Sequence, residues 1–263
     1  MKRVRCLFLS LALMMGLILT ANGAESIPTA AATLDGEPMD VTAYLYDGTS
    51  YFPLEETVKA FYPGTEVFCQ DGVYTATGEN FTMTVEKGKT YLEINDRYLY
   101  VPNGFKTREA DGMVMVPARI LGQALGFGVD WKKMVLFTSG GTLLLASDKP
   151  YTDSDLDLIS RVITHESGNQ PLEGKMAVGN VILNRVNNSL FPDTVSEVIY
   201  QKNQFPGATN ATANAESIIA AKLVLEGANV VPDAYYFNGV GKACWASRNK
   251  TLLYTIGGHA FYG

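Results

Sequence analysis

The chain has 263 residues, 47% of them hydrophobic, and sets 21 Lys+Arg against 27 Asp+Glu for a formal net charge of −6. That balance excludes recruitment to nucleic acid or to an anionic lipid surface by bulk charge. The length suits two compact domains of ordinary size.

The first predicted element is a signal peptide over residues 1–23. Met1-Lys2-Arg3-Val4-Arg5 opens it, an apolar run from Leu7 to Leu19 follows, and the small residues Ala21-Asn22-Gly23-Ala24 close it. The apolar run is shorter than the ~20 residues that cross a bilayer, so no stable membrane insertion is expected after cleavage. Cys6 precedes the run and is no lipoprotein cysteine. Removing residues 1–23 takes Lys2, Arg3 and Arg5 from the 21 basic residues and nothing from the 27 acids, so the charge becomes −9. A protein this acidic is expected to bind its target by hydrogen bonds and aromatic stacking in a cleft. Two cysteines remain, Cys69 and Cys244; an oxidising compartment would allow a disulfide between them, and two lone thiols are the preferred reading.

From residue 34 to 147 the pattern is short alternating segments broken by Asp-Gly and Gly-Gly turns, which predicts strands and hairpins. The run Asp47-Gly48-Thr49-Ser50-Tyr51-Phe52-Pro53-Leu54 recurs as Asp111-Gly112-Met113-Val114-Met115-Val116-Pro117-Ala118, with a short helix after each proline. The helices end near Ala60-Phe61 and Ala124-Leu125, and each copy finishes in an aromatic strand, Val73 to Gly78 and Val135 to Gly140. An internal duplication is therefore expected. The repeat resembles the copper amine oxidase N-terminal-like domain, which implies a stalk on a secreted wall protein. The name does not imply copper here, because this half contains no histidine. A spacer or wall-contacting module and an inert scaffold are both open readings.

Asp148-Lys149-Pro150-Tyr151-Thr152 marks the boundary to a second domain, residues 151–263. Thr152-Asp153-Ser154-Asp155 supplies an N-cap and first-turn acids to a helix with Leu156, Ile159, Val162 and Ile163 on its apolar stripe. Glu166 continues that stripe, and Ser167-Gly168 stops the helix beside its negative end. Desolvation and the helix dipole both disfavour a carboxylate there, so the pKa should rise, as a general acid requires. The bland reading is that Glu166 pairs within the fold, with Arg161 or Arg185. A zinc motif of the His-Glu-x-x-His kind fails at Asn169.

Pro171 and Glu173 open a second helix that is apolar on almost every side from Met176 to Val186 and should be the buried spine. Asn180 and Asn184 share one face of it and must find partners if buried. Short helices are expected from Thr194 and from about Ala213 to Glu226, then strand-like segments Ala234 to Asn238 and Thr251 to Ile256. The class is α+β, a β-rich duplicated half followed by a mostly helical one with a small sheet.

Glu166-Ser167, Pro171-x-Glu173-Gly174, Ala177 to Val186, Val198 to Gln201, Ala234 to Asn238 and Ile256 to Tyr262 resemble, in order and spacing, the SleB-type cell wall hydrolases, or spore-cortex-lytic enzymes. The resemblance implies a small lysozyme-like domain, Glu166 as the catalytic acid, and peptidoglycan glycan strands as substrate. It further implies cleavage between N-acetylmuramic acid and N-acetylglucosamine by lytic transglycosylation, in cell wall or spore cortex. It calls for no cofactor, metal or nucleic acid. Ser167, Tyr236, Asn238 and His259 are candidate substrate-binding neighbours. His165 stands where the family often has alanine, and the loop from Asn203 to Ala213 departs from its pattern. A wall-binding or spore-assembly protein that keeps the fold without the activity is the alternative.

Overall fold

The computed structural model of the protein describes residues 27–102, 107–110 and 112–263. The expected signal peptide and Asp111 of the repeat lie outside the described residues.

The first half is β-rich, and the duplication is visible in its central sheet. Strand Thr49–Pro53 leads into helix α1 (Leu54–Phe61), and strand Met113–Pro117 leads into α2 (Ala118–Leu125). These two strands pair with each other antiparallel, Phe52 opposite Val116, and each carries its own hairpin partner outwards, Ala43–Tyr46 and Arg108–Ala110. Proline precedes each helix, where its fixed φ suits helix entry and its missing N–H costs nothing. The copies interlock through aromatic rings. Phe61 of α1 stacks on Phe127 at 4.1 Å and meets Phe137 edge-on at 4.8 Å.

The hairpins after the helices differ between copies. After α1, strands Glu66–Gln70 and Val73–Gly78 continue into Phe81–Glu86, Tyr91–Ile94 and Arg97–Tyr100 as one antiparallel sheet. After α2, Gly128–Trp131 and Val135–Thr138 join Ala32–Leu34 instead.

In the second half, helix α3 (Asp153–Ser167) begins in a reciprocal cap. Thr152 Oγ1 accepts from Asp155 N at 3.1 Å, and the Asp155 carboxylate accepts from Thr152 N at 3.2 Å. Ile159, Val162 and Ile163 are fully buried against α4 (Leu172–Val186) and α6 (Ala215–Leu225), with α5 (Val195–Tyr200) at the side. Burial on all sides makes α4 the spine. Gly179 sits where three helices meet, and a Cβ there would lie 3.0 Å from Val224 and 3.1 Å from Ile163. Lys175, also buried, is neutralised by Glu216 and donates to Gln170 O at 2.8 Å.

Asn180 and Asn184 spend their amides on the chain that follows α6. Asn180 Nδ2 donates to Ala228 O at 2.7 Å and its Oδ1 accepts from Val230 N at 2.9 Å; Asn184 Nδ2 reaches both Val231 O and Ala234 O at 2.9 Å. That chain is thereby aimed into strand Tyr236–Gly239, one edge of a three-stranded sheet. The centre of this sheet is His259–Tyr262, which the alternation had not marked as a strand, and Leu252–Ile256 is the other edge. A short helix, α7 (Trp245–Asn249), lies between the first two strands in sequence.

Each half has its own apolar cluster. Between them, Tyr91, Tyr98 and Tyr100 of the N-terminal half pack against the second cluster, and the Arg97 guanidinium grips Glu226 just past α6. Among the described residues, no helix is long and apolar enough to cross a membrane.

Candidate active site

Glu166 ends the buried stripe of α3 where the helix core opens into a cleft of about 670 Å³. The opposite wall is the small sheet with α7, and one end is closed by the loop that carries Gln204 and Phe205. The Glu166 side chain retains 25% exposure. Burial pushes its carboxyl pKa upward, and the nearby His165 imidazole, with Nε2 4.0 Å from Oε1, opposes that rise when it carries a proton. Neither arginine that could have neutralised Glu166 does so. Arg161 is committed to Asp157 at 2.8 Å, and Arg185 forms no ion pair among the described residues.

Glu166 is the one carboxylate lining the cleft among the described residues. Glu173 stands in the first turn of α4, Glu216 pairs with Lys175, and Asp233 occupies a turn with φ of +62°. None of these three lines the cleft.

Tyr236, Asn238 and His259 do join Glu166 there. Tyr236 packs its ring 5.5 Å from Trp245, with the Lys250 ammonium 5.3 Å from its centroid. Asn238 Nδ2 donates to Lys242 O at 3.1 Å, tightening the turn that follows its strand. His259 lies opposite Gly239 in the sheet and edge-on to Phe237 at 5.5 Å. Burial, reinforced by Lys242, lowers its pKa, so the imidazole is neutral near pH ~7. Its Nδ1 is buried without a partner among the described residues.

Ser167 is not in the cleft. It is fully buried, and its hydroxyl donates to Ile163 O at 2.9 Å within its own helix. Adjacent helical residues point about 100° apart, so Glu166 facing the cleft turns Ser167 into the core. Sequence reasoning had weighed Arg185 only as a partner of Glu166 and assigned no site role to Gln204, Phe205 or Lys242; all four line the cleft, as does Trp245. A legible signal existed for Arg185, the one charged side chain between Met176 and Val186 on a helix that reads as the buried spine. Cys69 and Cys244 are free thiols, and Cys244 caps α7 by accepting from Ser247 N at 3.3 Å.

Residues 169–262 match the Cell Wall Hydrolase family, and residues 33–137 match the Copper amine oxidase N-terminal domain. The chain carries a cell wall hydrolase domain. Its match begins three residues after Glu166. The chain is 35% identical over 128 residues to a spore cortex-lytic enzyme of Oceanobacillus iheyensis, covering 47% of this chain and 46% of that protein. It is 32% identical over 119 residues to one of Bacillus cereus, covering 42% of this chain and 45% of that protein. The chain thus spans less than half the length of these curated relatives. A solved catalytic domain of the germination-specific lytic transglycosylase SleB of Bacillus anthracis is 27% identical, with a TM-score of 0.41, over 43% of this chain and 97% of that one.

Within the hydrolase domain, the link between α3 and α4 is tied to the sheet. Gly258 N donates to Gln170 Oε1 at 2.6 Å, and Gly257 takes φ of +56° so closely under Gln170 that a Cβ would lie 2.4 Å from Oε1. This glycine holds the His259 strand at a fixed distance from the end of α3 that bears Glu166.

Proposed function

We propose that this protein cleaves the glycan strands of peptidoglycan between N-acetylmuramic acid and N-acetylglucosamine, with Glu166 as the single acid and base. A signal peptide would deliver it to the cell wall or spore cortex. The observation that carries the reading is a half-buried carboxyl, raised in pKa and met by no lysine or arginine, that faces a cleft lined by no second acid among the described residues.

A hydrolase of the two-carboxylate kind needs a partner acid about 5 to 9.5 Å away. Lytic transglycosylation does not, because the muramic acid C6 hydroxyl attacks its own anomeric carbon. Glu166 in its neutral form protonates the leaving glycosidic oxygen. The carboxylate that results accepts the C6 hydroxyl proton as the 1,6-anhydro ring closes, which restores the acid. Burial favours the neutral form needed for the first step. Tyr236 and Trp245 offer faces for stacking sugar rings, and neutral His259 offers a hydrogen bond.

The test is digestion of purified peptidoglycan by wild type and Glu166→Gln, with the released muropeptides analysed by mass spectrometry. Anhydro-muramic ends from the wild type and their loss by at least ~10²-fold in the variant are expected. Wild-type release by the variant would remove Glu166 from catalysis. Reducing ends would make the enzyme a hydrolase with a positioned water, and adhesion to sacculi without soluble fragments would make it a wall-binding protein.

A further inference from the structure

The mechanism above leaves the buried cation of the cleft without a task. Arg185, near the C-terminal end of α4, is 4% exposed and lines the same cleft as Glu166. Its Nε donates to Tyr235 O at 2.8 Å and its Nη1 to Gln204 Oε1 at 2.7 Å. The guanidinium carbon lies 5.4, 5.7 and 5.5 Å from the ring centroids of Phe191, Phe205 and Tyr236. No carboxylate meets it among the described residues, and burial lowers its pKa to about 10.

Two of its five N–H donors are used, both on neutral oxygens, which leaves part of a planar fork suited to a carboxylate. A cation kept out of water without a counter-ion is costly, and ring faces return only part of that cost. Tethering Tyr235 and Gln204 would need no charge, since an amide could do it. Nor is Arg185 the counter-ion of Glu166. The two form no ion pair, and the group that opposes the effect of burial at Glu166 is His165 when it carries a proton. The separation is chemically sensible, because a guanidinium against Glu166 would hold it ionised and spoil it as an acid.

We infer that Arg185 is a positioning residue that binds a carboxylate carried by the lactyl side chain of muramic acid, which fixes which sugar lies beside Glu166. The inference rests on the proposed peptidoglycan substrate. In such a strand N-acetylglucosamine is uncharged, so the acidic handle belongs to the muramic residue. Two sources share this chemistry: the free lactyl carboxylate, and the terminal carboxylate of a short peptide attached to it.

The full chain is titrated, with NMR shifts as the readout, against N-acetylmuramic acid, N-acetylmuramyl-L-alanine, the methyl ester of each, and N-acetylglucosamine. At least one acid is expected to bind ~10-fold or more tightly than its own ester, about 1.4 kcal/mol. The acid that shows the ratio identifies the source. Arg185→Gln should bring the ratio to about one. If that variant does not melt cooperatively, Arg185→Lys, which keeps the charge but loses the fork, should reduce it. The ester comparison on wild type needs no variant, and acid and ester bound within twofold for both ligands would overturn the inference. Sacculus digestion by the same preparation separates the two claims. Digestion without an acid preference removes only the role of Arg185. An acid preference without digestion leaves the anion site standing and removes the proposed activity.

Discussion

The Arg97–Glu226 pair offers a quantitative test of how the two halves are joined. Its side chains are 7% and 4% exposed, and the contact is two-pronged, with Nε on Oε1 and Nη2 on Oε2 at 2.5 Å. Arg97 Nη1 also reaches Leu145 O at 3.3 Å. An exposed pair contributes ~0–1 kcal/mol, whereas removing one partner of a buried pair strands the other charge and costs ~3–5 kcal/mol. Glu226→Met and Arg97→Met each remove one charge and strand the other, so each should fall in the upper range. Arg97→Met combined with Glu226→Met should recover much of the loss, because neither charge is then buried alone. Urea denaturation of the full chain, followed by far-ultraviolet circular dichroism, gives the four corners of the cycle. Single losses under ~1 kcal/mol, or a double variant equal to the sum of the singles, would refute the claim that this contact is sealed from water.

The raised Glu166 pKa has two further consequences. The neutral carboxyl is the working acid, so activity should persist above the ordinary glutamate value of ~4.3 and fall as pH rises through the higher folded value; sacculus turbidity against pH reads this, and loss of activity at the ordinary value would contradict it. The folded chain also holds that proton more tightly than the unfolded one, so the contribution to stability is present at low pH and lost as pH rises through the folded pKa. Glu166→Gln should therefore melt with wild type near pH ~4 and above it near pH ~8, while an equal difference at both would point elsewhere. Asn184→Leu leaves the carbonyls of Val231 and Ala234 without their donor and should cost ~1–3 kcal/mol by urea titration. Because those carbonyls lead into the Tyr236 strand, KM for soluble glycan fragments should rise as well.

Local pattern carried much of this fold into view. The stripe Ile159, Val162, Ile163 is buried where its spacing places it, and α4 is the buried spine that its all-round apolarity demanded. The proline-helix repeat was legible because both copies keep the same turn and cap chemistry. The central strand His259–Tyr262 escaped although the Gly257-Gly258 turn between two apolar runs signalled its hairpin with Leu252–Ile256; its pairing with Tyr236–Gly239, distant in sequence, had no such signal. Helix α7 escaped because its cap is a cysteine thiol. Tyr236, Asn238 and His259 line the same cleft as Glu166. Ser167 does not, since adjacency in a helix separates two side chains rather than joining them. Gln204 and Lys242 had no local signal, because loop conformation alone brings them to the rim.

The pairing of Thr49–Pro53 with Met113–Pro117 bears on how the N-terminal half arose. A single copy of the unit would end its sheet on a bare strand edge, open to any other chain. The partner that satisfies this edge here is the same segment from the second copy, running antiparallel about a local twofold. A one-copy ancestor would have met the same need most simply by pairing with itself, as a symmetric homodimer. Fusion of two such genes turns a concentration-dependent association into a contact within one molecule, so the present chain keeps its sheet closed at any dilution.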